Sequence, residues 1–316
     1  MNTEVVTEAN PILAIPAPAS RDPVALRAFL DLLWARLRAE AEDAYRRAPR
    51  LGSLFFDSIL NQPSFEAAVI HRVASRLKHD LISLPLIVRV FHRAVAADPT
   101  IVSAMRMDIA AVYERDPACE RVIEPFLYSK GFHALQAHRL SHWLWGTSGQ
   151  DFSRYLQSRC SEVFQTDINP AARFGQGVFL GQATGLVVGE TAVVEDHVSM
   201  LHGVTLGGTG KEAGDRHPKI GRGVAIGVGA KILGNIRIGE YARIAAGAVV
   251  LRAVPAGTTA VGVPARLVGS DCPFPATDPH GLEAAQAQVL SQAGIGPSGV
   301  IRLGRAGPGG VTIEPE

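Results

Sequence analysis

A chain of 316 residues, 47% hydrophobic and 19% charged, is long enough for two domains and has the composition of a folded globular protein, which excludes general disorder. Its 31 Lys plus Arg nearly cancel its 30 Asp plus Glu, so no large field steers it toward nucleic acid or an anionic membrane, and small molecules or proteins are the expected partners. The three cysteines, Cys119, Cys160 and Cys272, are odd in number and widely spaced, which fits neither a disulfide framework nor a CxxC metal site and points to a reducing cytosol.

The N-terminus, MNTEVVTEANPILAIPAPAS, carries acidic residues where a signal peptide would be basic, and prolines break its apolar stretch. No run of about 18 apolar residues follows, so residues 1–21 are expected to be a disordered leader and the protein cytoplasmic, without a membrane partner. From 22 to 165 the period is helical. Asp22-Pro23 makes an N-cap and first-turn pair, and Leu26, Phe29, Leu30, Leu33 and Leu37 follow on one face. Asp98-Pro99 opens a further helix with Val102, Met105, Ile109 and Val112 as its stripe, and the apolar density of residues 132–145 predicts a helix buried against another helix or subunit. This half reads as an all-helical domain.

After Asn169 glycine rises and an aliphatic residue recurs every sixth position. Ile220, Ile226, Ile232, Ile238, Ile244 and Val250 are in register; Ile168, Phe174 and Leu180 share the period upstream, two extra residues intervene, and Val188, Val194, Met200 and Leu206 resume it. A six-residue period means short parallel strands joined by tight turns, each pointing one side chain inward, with three hexapeptides closing one triangular coil. The periodicity predicts a β-solenoid over 166–270. GGTGKEAGDRHPK interrupts the repeat and must leave it as an external loop, 207–219, of the kind that carries function on a rigid scaffold. The Gly/Pro/Ala-rich segment 271–316 is expected to be a flexible tail.

Over roughly residues 98–270, FQTDINPAARFGQG, ATGLVVGETAVVED, HGVTLGGTGKEAGDRHPKIG, GAKILGN and GVPARLVG follow one another in the order and spacing of serine O-acetyltransferases. YSKGFHALQAHRLSHWLW resembles the end of that family's helical domain. The resemblance implies a left-handed parallel β-helix behind an all-helical N-terminal domain, a departure from the right-handed crossover rule. It also implies transfer of acetyl from acetyl-CoA to the hydroxyl of L-serine, giving O-acetylserine for cysteine synthesis, with no metal. The implied assembly is a trimer through the β-helix, or a dimer of trimers, with active sites between neighbouring prisms.

A serine hydroxyl is a poor nucleophile at neutral pH, so the site needs a base, a group that orients it, oxyanion donors and ligands for the ammonium and carboxylate. By resemblance Asp116, in ERDPACER, contacts the amino acid, although Asp-Pro also starts helices in this chain. Arg216 and His217 lie in the external loop, where a guanidinium fork and an imidazole suit a carboxylate, against the alternative of solvated loop charges. Asp167, in QTDINP, matches the aspartate that orients the catalytic histidine. That histidine is absent: the family has Asp-His before Ala-Thr-Gly, and this chain has Gly181-Gln182. Gly181 removes a carboxylate near the substrate, and the Gln182 carboxamide cannot take a proton near neutrality. Counting in the repeat, Gln182 follows Leu180 by two and His202 follows Met200 by two, so His202 should stack beside Gln182 as a substitute base, against the alternative of a histidine in an outward stack.

For the cofactor, Gly208, Thr209, Gly210 and Lys211 offer backbone donors and a cation to a thioester and pantetheine arm. Val228, Ala245 and Ala246 leave narrow coil surfaces for the same arm, and Arg266, with Arg243 and Arg252, could meet CoA phosphates, where solvated arginines are the alternative. His138 and His142, four apart, lack a third metal ligand and are expected to pack. Two further functions stay open on the changes at 181 and 182: a catalytically impaired scaffold or regulator, and an acyltransferase for another hydroxyl acceptor. Members of the family dock a terminal isoleucine into O-acetylserine sulfhydrylase. This chain ends Thr312-Ile313-Glu314-Pro315-Glu316, which predicts weak or absent docking.

Overall fold

The computed structural model describes residues 23–268 apart from 148 and 212; the expected leader, the tail and Cys272 lie outside the described residues. The chain opens with α1 (Pro23–Arg47), α2 (Gly52–Phe55), α3 (Phe65–Leu77), α4 (Leu84–Ala97), α5 (Thr100–Arg115), α6 (Ile123–Tyr128), α7 (Lys130–Trp145) and α8 (Gln150–Phe164). Side-chain oxygens hold the starts of α5 and α7. Asp98 Oδ1 accepts from the Thr100 N–H at 3.0 Å, and Ser129 Oγ accepts from the Phe132 N–H at 3.3 Å. Phe29, Leu33 and Leu37 from α1 and Met105, Ile109 and Val112 from α5 meet in one core. Its central member is α7, buried at every position from Gly131 to Ser141, which accounts for the apolar density of that segment.

Three parallel strands make each coil of the second half. The first coil holds β1 (Thr166–Ile168), β2 (Arg173–Phe174) and β3 (Phe179–Leu180); the second holds β4 (Leu186–Val188), β5 (Val193–Val194) and β6 (Ser199–Met200). Then come β7 (Thr205–Gly207), β8 (Lys219–Ile220) and β9 (Ala225–Ile226), followed by β10 (Lys231–Leu233), β11 (Arg237–Ile238) and β12 (Arg243–Ile244). β13 (Val249–Val250) and β14 (Thr259–Val261) continue the stack, and β15 (Arg266–Val268) turns back antiparallel to close it. The first face stacks β1-β4-β7-β10-β13, the second β2-β5-β8-β11 and the third β3-β6-β9-β12-β14. All thirteen periodic residues except half-buried Phe174 are buried in the shared core of this prism, and Phe174 packs against it.

The external loop is shorter than the sequence boundary suggested. Gly207 is still paired with Leu233 in the ladder and Lys219 with Val193, so the excursion covers 208–218. The two extra residues between Leu180 and Val188 form the wide corner 181–185, in which Gln182 and Ala183 take consecutive left-handed conformations at φ 53° and 57°.

The helices grip the first two coils through buried polar groups. Asp108, fully buried, accepts from Arg139 through both carboxylate oxygens (2.8 and 3.0 Å) and from the Val178 N–H (3.0 Å), while Arg139 also donates to Gly175 O at 2.6 Å. Both charges are thereby satisfied inside the protein. Gly131 passes so close to Leu180 O that a β-carbon there would overlap it.

Candidate functional site

Two edges of the first face carry the residues of interest. At the edge between the third and first faces, the bonds from Gly203 N–H to Thr184 O, from Gly229 N–H to His202 O and from Gly247 N–H to Val228 O stack Thr184, His202, Val228 and Ala246 in one column, and Gln182 and Ala183 are the extra residues of the wide corner beside it. Gln182 and His202 are both exposed at this corner, but the two extra residues shift the register so that Thr184 and not Gln182 stands one strand spacing, about 4.8 Å, from His202, which corrects the coil count made from the sequence. Glycines or small residues flank the column at Gly203, Gly229, Ala245 and Gly247, and Arg266 pairs with Val261 at its far end. Asp167 stands on the outer side of β1, exposed, with its Oδ1 accepting from Gln157 Nε2 at 2.6 Å.

The opposite edge of this face carries the loop. Arg216 and His217 were set against the alternative of solvated loop charges, and for His217 the geometry removes that alternative: it is 7% exposed. Its Nδ1 lies 3.2 Å from the Thr191 N–H and 2.9 Å from Thr191 Oγ1, and its ring lies against Gly189, where a β-carbon would overlap it. A nitrogen that accepts from a backbone N–H carries no proton, so the ring is neutral with its proton on Nε2. Burial, then the Arg216 guanidinium, holds the pKa of His217 below its usual value, in agreement with that tautomer. His217 is thus a hydrogen-bond donor through Nε2 near neutral pH. Thr191 Oγ1 also accepts from the backbone N–H groups of Arg216 (3.0 Å) and His217 (3.1 Å), which fixes the base of the loop.

Arg216 is half-buried, with Nη2 paired to Glu190 Oε2 at 2.7 Å and Nη1 donating to Gly214 O at 2.9 Å. A cleft of about 300 Å³ lined by Ala171, Arg173, Glu190, Thr191, Ala192 and Asp215 opens beside this pair. Thr209, Gly210 and Lys211 are exposed, Gly208 packs on the Arg216 stem, and Thr209 reaches Gly234 of the next coil.

Asp116 does not start a helix. It ends α5 as its C-cap, its Oδ1 accepts from the Ala118 N–H at 3.0 Å, and the next helix begins only at Ile123. His138 and His142 do pack: His138 Nε2 lies 3.1 Å from Ala172 O and His142 Nδ1 2.7 Å from Pro170 O, tying α7 to the first coil. Among the described residues no group of three or more His, Cys, Asp or Glu could hold a metal ion.

Residues 33–137 match the N-terminal family of serine acetyltransferases, and residues 217–252 match the bacterial transferase hexapeptide family. Serine acetyltransferase of Escherichia coli is 48% identical over 254 residues, covering 79% of this chain and 93% of the relative. The crystal structure of serine acetyltransferase from Brucella abortus in complex with coenzyme A superposes with a TM-score of 0.74 at 59% identity, covering 75% of this chain and 94% of that one. A serine acetyltransferase in complex with cysteine superposes at 0.75 with 46% identity, covering 78% and 96%. The chain belongs to the serine acetyltransferase family.

Its coils are accordingly those of a left-handed β-helix of hexapeptide repeats. Against the pattern of serine acetyltransferases, the departure at 181–182 takes a physical form here. A β-carbon on Gly181 would lie 2.6 Å from Leu201 Cδ2 and 3.2 Å from the Phe179 ring, so apolar side chains occupy the space beside Gly181. Leu201, Glu190 and Thr191 were not singled out in the sequence. Glu190 and Thr191 sit in the quoted motif VVGETAVV, but their partners Arg216 and His217 lie 26 residues on, beyond the reach of any local pattern.

Proposed function

We propose that this chain is an acetyl-CoA-dependent serine O-acetyltransferase that makes O-acetylserine for cysteine synthesis. The observation that carries this reading is the buried, neutral His217, pinned by Thr191 beside the Arg216–Glu190 pair, in a chain of this family. The Nε2–H suits a carboxylate or the oxyanion that develops on the acetyl carbonyl. Arg216 offers a planar fork to the serine carboxylate, and Asp116 offers its second carboxylate oxygen to the ammonium. Gly208, Thr209, Gly210 and Lys211 face the thioester, Val228 and Ala246 line a groove for pantetheine, and Arg266 meets CoA phosphates.

In the reaction the serine oxygen bonds to the acetyl carbon, the carbon–sulfur bond of the thioester breaks and CoA leaves as its thiol. The hydroxyl proton needs an acceptor. Gln182 has no basic site, so His202 in the next coil takes that proton, and Asp167 lines the same edge of the first face. The Gln182–His202 corner and the Arg216–His217 loop lie on opposite edges of this face, which favours a site completed between two copies in a trimer, or a dimer of trimers. A cytoplasmic location fits, and no described helix is long and apolar enough to cross a membrane.

Thiol release from acetyl-CoA in the presence of a panel of hydroxy amino acids tests the function. Serine should be the preferred acceptor. Release with none of them while CoA still binds would refute it.

A further inference from the structure

Two anchors hold α5 along the prism. Asp108 and Arg115 are seven residues apart, two helical turns or about 10.5 Å, and therefore share one face of the helix. Asp108 reaches Val178 of the first coil through the network with Arg139. Arg115, with its side chain 12% exposed, sends Nη1 to His197 O and to Ser199 Oγ of the second coil, each at 3.2 Å. His197 is held at φ 60°, so the carbonyl that accepts this bond comes from a constrained turn.

The two anchors differ in what they set. The Asp108–Arg139 network already secures α5 and α7 to the first coil. Arg115 adds a second tether where the helix ends, and the next residue is Asp116, whose Oδ1 is committed to Ala118. On the other side of the tether, Ser199 lies on β6, whose chain continues through Leu201 beside Gly181 to His202. The guanidinium thus bridges the backbone that carries Asp116 and the strand that carries His202. Loss of this tether would leave α5 folded but free to shift at its last turn.

We propose that Arg115 is a positioning residue that fixes the Asp116 carboxylate relative to the Gln182–His202 corner so that it meets the ammonium of the acceptor. This inference rests on the reading of Asp116 as the ammonium ligand. It concerns serine and not acetyl-CoA, because neither residue lies on the Val228–Ala246 groove or on the loop 208–218.

The test is calorimetric titration of the intact protein with L-serine, and separately with CoA, so that slow turnover does not hide the effect. Asp116→Asn should weaken serine at least tenfold. Arg115→Met should do the same with CoA affinity unchanged, Arg115→Lys should stay within about threefold of the native chain, and Ser199→Ala, which removes one acceptor of the tether, should weaken serine by two- to threefold. The double variant Arg115→Met with Asp116→Asn should bind serine no worse than Asp116→Asn alone, because the tether acts through that carboxylate. If Asp116→Asn leaves serine binding unmoved, the reading of Asp116 falls and the inference with it. If Asp116→Asn weakens serine but Arg115→Met and Ser199→Ala do not, or if the two losses multiply in the double variant, the inference alone is overturned. A parallel fall in CoA affinity would also overturn it, since that is the mark of general disruption.

Discussion

Replacing Gln182 by histidine isolates the chemistry of the missing base. The position is exposed and sits at φ 53°, a left-handed conformation for which histidine is one of the better-suited residues, so the exchange should alter stability by no more than about 0.5 kcal/mol. A positioned general base contributes about 10² to 10⁴ in rate, or about 2.7–5.5 kcal/mol of barrier. His202, exposed at the same corner in the next coil, already supplies part of that, so the gain in turnover with saturating serine should be at least about tenfold, near 1.4 kcal/mol. His202→Ala should abolish thiol release from acetyl-CoA in the native chain and matter much less beside Gln182→His, because two imidazoles would then be alternative acceptors for one proton. Equal losses from His202→Ala in both backgrounds would refute the shared-proton reasoning. Turnover that stays flat in Gln182→His while CoA still binds would refute the missing-base argument itself.

Gly189→Ala should drive the His217 ring off Thr191 and lower kcat/KM by about tenfold or more through loss of one oriented donor; a variant with native kinetics would remove His217 from the reaction. Arg216→Lys should raise the serine KM and leave the acetyl-CoA KM unchanged, since a point charge replaces a planar fork that also holds Glu190. An unaltered serine KM would exclude Arg216 from acceptor binding. His133 and His138 are both buried, and burial pushes their pKa values down to about 3 from an ordinary 6.5. Below about pH 6.5 the unfolded chain therefore binds more protons than the folded one, and stability should fall by about 1.4 kcal/mol per pH unit for each histidine as pH drops toward 3. A Tm that does not change between pH 7 and pH 5 would contradict this.

The β-helix was legible in the sequence because its determinant is local: one aliphatic side chain turned inward every six residues needs no knowledge of distant partners, and those positions form the core. The same counting failed at the corner 181–185, where two extra residues shift the register so that His202 stacks under Thr184 and Gln182 stands beside the column. The external loop was legible as a break in that count, and the helices as periodic stripes, one of them behind its Asp98-Pro99 start. What the tertiary structure decided concerns side chains whose partners lie outside their own coil or helix. The burial and tautomer of His217 depend on Thr191, which is 26 residues away but in the neighbouring coil. Leu201 beside Gly181, the role of Asp116 as the end of α5, and the carbonyls that occupy His138 and His142 depend on how helices and coils pack, and local periodicity carries no information about such contacts. The division of the candidate residues between two edges of one face likewise follows from the closure of the prism, which brings strands about twenty residues apart into register and sends adjacent corners in different directions.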